Sequence, residues 1–138
     1  MDTAIQFLLI DDDKDDRELF CTTARRISNK ITCHALPDGQ KAISSLDKGI
    51  IPLPQLIFLD INMPAMDGWG CLAAIKELEA CKNIPVIMYS TSNYREDIEK
   101  ARKLGAAGFL NKPIDLAMLK KKLEEIMLQL KHGTVCFF

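Results

Sequence analysis

The stretch IQFLLIDDD, residues 5–13, is an apolar run that breaks into three aspartates. A short run of this kind reads as a strand buried on both faces, as in a parallel sheet. The same figure returns along the chain. LIFL (56–59) ends at Asp60, VIMY (86–89) ends at Ser90, and Lys112 follows the run 107–110. In an open parallel sheet the carboxyl ends of the strands lie along one edge, and ligands bind there. Asp11, Asp12, Asp60, Ser90 and Lys112 are therefore expected to meet in one cleft.

Helical patterns fill the intervals. Asp13, Asp15 and Asp16 suit the start of a helix, where carboxylates cap free N–H groups, and Phe20, Ala24 and Ile27 share one face of it. A strand is expected over 31–36, then a turn at Pro37-Asp38-Gly39 and a short helix with Ile43 and Leu46 inward, ended by Gly49. Pro52 and Pro54 mark a loop before the third strand. A helix is predicted over 69–81 with Leu72, Ile75 and Leu78 inward. Another, over 95–104, has only a weak stripe of Ile98, Ala101 and Leu104, with Gly105 as its C-terminal cap. The last, 115–131, carries Leu116, Leu119, Leu123, Ile126 and Leu130, and HGTVCFF is left over.

Five strand–helix units predict an α/β fold, a doubly wound five-stranded parallel sheet in the order 2-1-3-4-5. That order sets the first strand beside the third and makes neighbours of Asp11, Asp12 and Asp60. The 138 residues are read as a single domain, with a core of about 5–131 and a short tail over 132–138. No internal repeat or low-complexity segment interrupts it.

Composition narrows the function classes. A net charge of −1 makes nucleic acid a poor partner. Cys21, Cys33, Cys71, Cys81 and Cys136 form no CxxC pair and are expected as free thiols in a reducing compartment. No apolar stretch is long enough to span a membrane, and MDTAIQF lacks a signal-peptide charge pattern, so a cytoplasmic location with no membrane partner is expected.

The five edge residues suggest one chemistry. Capping explains one of Asp11 and Asp12, but not both, and it says nothing of Asp60. Crowded carboxylates call for a hard divalent cation such as Mg²⁺, which prefers oxygen ligands and keeps open positions for phosphate oxygens. Asp60 could then attack phosphorus and form an acyl phosphate. Lys112 and the Ser90 hydroxyl would hold the phosphoryl oxygens. Taken alone, Ser90 reads as a polar strand end and Lys112 as a solvated loop cation; their shared edge is what favours the chemical reading.

FLLIDDD, LIFLDINMPAMDG, PVIMYSTS and GAAGFLNKP, in that order, resemble the motifs of the response-regulator receiver family, whose stand-alone members include chemotaxis regulators. The resemblance spans roughly residues 5–131 and implies a (βα)5 flavodoxin-like fold. It also implies a signalling protein that catalyses only its own phosphorylation and dephosphorylation. Asp60 would be the phosphoacceptor, charged by a histidine kinase or a histidine phosphotransfer protein. Asp11, Asp12, Asp60 and the backbone carbonyl of Asn62 would hold Mg²⁺. Ser90 and Phe109 fill the switch positions, Lys112 pairs with the phosphate, and Lys112-Pro113 matches a cis peptide. Thr91 stands where a smaller residue is common, Phe109 lacks the hydroxyl of the commoner tyrosine, and Asn62 and Ser92 occupy positions that tune acyl-phosphate lifetime. The resemblance implies a monomer or a weak phosphorylation-dependent dimer, with output through contact with a target protein.

Other readings fit less well. Asp11 and Asp13 have the D-x-D spacing of a haloacid-dehalogenase phosphatase, but the later acidic motif is missing. A calcium loop starting at Asp11 would put Asp16 where glycine is needed. A flavin site would not use DDDKDD beside phosphate. The reading of a different class is a receiver-fold binding module indifferent to phosphate, and the intact edge residues weigh against it.

Overall fold

The computed structural model describes residues 4–138. Strands and helices alternate: β1 (Ile5–Ile10), α1 (Lys14–Ile27), β2 (Ile31–Leu36), α2 (Gly39–Asp47), β3 (Leu56–Leu59), α3 (Gly68–Glu77), β4 (Val86–Ser90), α4 (Arg95–Lys103), β5 (Gly108–Asn111) and α5 (Leu116–Lys131). The strands form one parallel sheet in the order β2-β1-β3-β4-β5. This is the predicted doubly wound topology, with β1 between β2 and β3.

Strand alternation divides the core into two layers. Leu8, Ile10, Ile57, Leu59, Val86 and Met88 face α2, α3 and α4, where they meet Leu46, Leu72, Ile75 and Ala101. Phe7, Leu9, Phe58, Ile87 and Tyr89 face the other way and meet Phe20 and Ala24 of α1 and Leu119, Leu123 and Ile126 of α5. Phe20 binds this second layer together, with its ring 4.8 Å from Phe58 and 5.3 Å from Tyr89. Covered on both faces, the inner strands need no polar alternation, and so they appear in sequence as unbroken apolar runs.

Aspartate side chains start four of the helices. Asp13, Asp38, Asp67 and Asp115 each accept the backbone N–H three residues on, at 2.7–2.9 Å. α4 has no such cap; Ser92 in the preceding loop donates instead to Asp97 at 2.7 Å. Among the described residues no helix is long and apolar enough to cross a membrane.

Four expectations change. The third helix stops at Glu77, because the chain turns at Leu78 and drives Cys81 fully into the core. The Lys112–Pro113 bond is trans, as are all peptide bonds of the described residues, in line with the modest preference of X–Pro bonds for trans. Cys21 and Cys33 are not separate thiols: α1 lies against β2 with their Cα atoms 5.5 Å apart, and the sulfurs pair as a disulfide. Cys71 and Cys81 are buried free thiols, and Cys136 is an exposed one.

The fourth change concerns the tail. Phe137 pairs in parallel with Gly108 on the outer edge of β5. Phe109 N–H donates to the Phe137 carbonyl at 2.8 Å, and Phe137 N–H donates to the Ala107 carbonyl at 2.9 Å. The Cys136 N–H donates to Gln129 Oε1, and the Arg102 guanidinium lies over the Phe138 ring at 4.2 Å. A bare β5 edge would leave these backbone groups unpaired, and the tail covers them. Gly108 makes room, since a Cβ there would stand 2.6 Å from the Phe137 carbonyl oxygen.

Candidate functional site

β1 delivers Asp11 and Asp12, β3 delivers Asp60, β4 ends at Ser90, and β5 leads into Lys112. Because β1 and β3 are paired in register, with Ile10 opposite Leu59, the residues that follow them come together. Asp60 N–H donates to the Ile10 carbonyl at 2.9 Å, which fixes the junction. Carboxylate oxygens of Asp11, Asp12 and Asp60 all lie within 4.8 Å of one another. Asp11 and Asp60 are buried, whereas Asp12 is exposed.

Lys112 closes the group. Its Nζ is 2.8 Å from Asp11 Oδ2, 2.8 Å from Asp16 Oδ2 and 3.9 Å from Asp60 Oδ2. It also lies 5.3 Å from the centre of the Tyr89 ring. Burial works against the lysine's charge, but the carboxylates of Asp11 and Asp16 outweigh it and hold its pKa above the usual lysine value. The Asp60 carboxyl is pushed up to about 6, chiefly by burial, with Lys112 opposing the rise and Asp11 adding to it. Burial likewise pushes the Asp11 carboxyl up, against hydrogen bonds from Lys112 and the Asp13 N–H.

These residues fit a hard divalent cation. Oxygen donors come from three carboxylates on two adjacent strand ends, close enough to share one ion, and exposed Asp12 leaves a way in. A cation would offset the repulsion and burial that hold the Asp60 proton. The Asn62 backbone N–H hydrogen-bonds the Asp60 carboxylate.

Ser90 is fully buried at the end of β4, and its Oγ accepts the Ser92 N–H at 3.0 Å. Thr91 beside it is exposed. Phe109 lies on β5, is 7% exposed and belongs to the core layer beneath α4. Ser90 and Phe109 thus flank one corner of the sheet, Ser90 at the edge and Phe109 behind it.

Three participants escaped the sequence reading. Asp16 was expected only to start α1, and its carboxylate instead binds Lys112. Its place in the first turn of a helix that starts at the sheet edge is the signal that could have found it. Arg17 Nη1 donates to the Asp11 carbonyl at 2.8 Å and so braces the loop after β1. Asn111 Nδ2 reaches the carbonyl oxygens of Ser90, Thr91 and Ser92, at 3.4, 3.3 and 2.9 Å, and ties the loop after β4 to β5. Gly68 is needed for a different reason: a Cβ there would lie 2.3 Å from the Asp60 carbonyl oxygen.

Comparison with known proteins agrees with this geometry. A family model described as the response regulator receiver domain matches residues 7–124. The chemotaxis protein CheY-3 of Vibrio cholerae is 32% identical over 88% of this chain and 91% of its own length. The phosphorylated cyanobacterial phytochrome response regulator RcpA superposes with a TM-score of 0.85 at 28% identity, covering 96% of this chain and 99% of that one. The Mn²⁺-bound response regulator Rcp1 gives a TM-score of 0.79 at 29% identity, covering 96% of this chain and 98% of its own. The chain spans only 19% and 26% of two longer plant response-regulator-like relatives from Arabidopsis thaliana, APRR5 and APRR9.

Proposed function

Because this chain belongs to the response regulator receiver domain family, we propose that it takes a phosphoryl group onto Asp60 from a histidine kinase or histidine phosphotransfer protein and passes the signal on through a protein contact. The observation that carries the reading is the convergence of Asp11, Asp12, Asp60 and Lys112 at one sheet edge. Mg²⁺, held by Asp11, Asp12, Asp60 and the Asn62 backbone carbonyl, would supply positive charge beside the phosphoryl oxygens.

The chain's own groups do the rest. Asp60, as a carboxylate, is the nucleophile: one of its oxygens bonds to phosphorus as the donor's bond to phosphorus breaks. Lys112 is already 3.9 Å from that carboxylate, and it exchanges part of its pairing with Asp11 and Asp16 for a phosphoryl oxygen. Ser90 leaves the Ser92 N–H and turns its hydroxyl toward the phosphoryl group. Phe109, next along the sheet and lacking a hydroxyl, follows by packing alone. The output face is built by α4, β5 and α5, and phosphorylation shifts its two-state equilibrium. In this reading the protein is no enzyme beyond its own phosphorylation and dephosphorylation. It is cytoplasmic and a monomer or a weak phosphorylation-dependent dimer, with no nucleic-acid or membrane partner.

The test is intact-protein mass after incubation with Mg²⁺ and acetyl phosphate, beside Asp60→Asn and a chelated control. One added phosphoryl group, lost in both controls, is the expected result. No adduct with any donor would favour a phosphate-independent binding module. Ser90→Ala should still be phosphorylated but should lose phosphorylation-dependent partner binding; binding at the wild-type level would overturn the assigned switch.

A further inference from the structure

The face of α1 that lies against β2 holds a second site. Cys21 of α1 and Cys33 of β2 open onto a surface depression of about 400 Å³. Its lining includes Lys14, Arg17 and Arg25, against one acid, Glu18, among the described residues. The two cysteines are 5% and 6% exposed, and their Cα separation of 5.5 Å is ordinary for a disulfide. Cys21 Sγ also lies 3.7 Å from the Cys33 carbonyl oxygen, an acceptor within reach of the thiol that reduction releases.

We propose that Cys21 and Cys33 form a reversible thiol–disulfide exchange site whose co-substrate is a small anionic disulfide of the glutathione class. Cationic side chains around a cysteine that lines a surface depression favour the thiolate, the form that attacks. They also attract a carboxylate-bearing disulfide. A thiolate of the pair attacks one sulfur of the small disulfide, whose S–S bond breaks and releases one small thiolate. The second cysteine thiolate then attacks the mixed disulfide, the Cys21–Cys33 bond forms, and the second small thiolate leaves. The protein gives up two electrons and two protons, and two small thiols carry them. In a reducing compartment, disulfides that form at all are mostly transient and sensing. Oxidation ties α1 to β2, and α1 carries Asp16 and Arg17, both bonded at the acidic cluster. The exchange chemistry does not depend on the phosphoacceptor reading.

The test equilibrates the full chain with mixtures of reduced and oxidised glutathione at neutral pH, traps free thiols with N-ethylmaleimide and maps each cysteine by mass. Cys21 and Cys33 should pass together from dithiol to disulfide across the mixtures, while Cys71 and Cys81 stay unmodified. In Cys21→Ser or Cys33→Ser the remaining thiol should accumulate the glutathione mixed disulfide. Lys14→Gln with Arg25→Gln should slow exchange with oxidised glutathione about 3- to 10-fold, and hardly slow exchange with neutral hydroxyethyl disulfide. A pair that remains dithiol in every mixture overturns the proposal, as does a disulfide that excess reduced glutathione never opens. Equal slowing with both small disulfides would overturn the anionic co-substrate.

Discussion

Lys112 Nζ stands 2.8 Å from Asp11 Oδ2, an ion pair between residues 101 positions apart whose carboxylate is wholly buried. Removing one member of a buried pair leaves the other charge uncompensated. Lys112→Ala should therefore destabilise the protein by about 3 kcal/mol at neutral pH, measured by urea denaturation. Added Mg²⁺ should recover part of the loss, because the variant keeps its three carboxylates. A loss well under 1 kcal/mol, or none recovered by Mg²⁺, would count against this pairing. Asp16 is more exposed, so Asp16→Asn should cost less than about 1 kcal/mol.

The Asp60 carboxyl rises from 3.8 to about 6 in the folded chain. Between those values the folded protein keeps a proton that the unfolded chain has released. The stability this contributes is complete below 3.8 and is lost as pH rises through about 6. With divalent cations chelated, Asp60→Asn should therefore stabilise the protein by about 1–2 kcal/mol at neutral pH and hardly at all near the lower value. Mg²⁺ should remove the difference by favouring the carboxylate. Denaturation across pH, with and without the metal, reads the effect; a mutant gain that grew on acidification would refute it.

Gly68 opens α3 directly against the Asp60 backbone, where a Cβ would stand 2.3 Å from the carbonyl oxygen. Backbone atoms cannot swing aside as a flexible side chain can. Gly68→Ala should cost about 1–3 kcal/mol and should shift the Asp60 loop, so that phosphorylation by acetyl phosphate slows more than melting alone explains. Wild-type kinetics in a folded Gly68→Ala protein would show that the close approach does not set the position of Asp60.

On β5, Phe109 donates to Phe137. Phe137→Ala should lower stability by about 1–2 kcal/mol. Deleting residues 134–138 should also speed hydrogen exchange at the Phe109 amide, which then faces water. An unchanged exchange rate would mean that the tail does not protect the β5 edge.

The inner strands β1, β3 and β4 were legible because each is covered on both faces, which forces apolar side chains on both sides of the backbone and erases the polar alternation. The acidic cluster was legible for a related reason: parallel strands bring their ends to one edge, so Asp11, Asp12 and Asp60 needed only a strand order to become neighbours. Asp16 could not be recognised in the same way. A carboxylate in the first turn of a helix already has a local use, and its pairing with Lys112 depends on how α1 sits against the sheet. The loop brace by Asn111 is equally silent, since an amide after a strand has many possible partners.

Local physics written along the chain, in apolar runs, capping aspartates and punctuation by glycine and proline, determined the elements, their order and the residues at the chemical edge. Tertiary packing alone decided what depends on distances between elements: that Lys112 rests on Asp11 and Asp16, that Cys21 meets Cys33, that the Lys112–Pro113 bond stays trans, and that the last residues close the edge of β5. Periodicity reports which face of an element is buried. It carries no measure of how far apart two buried faces lie, and ion pairs, disulfides and strand pairings are set by that distance.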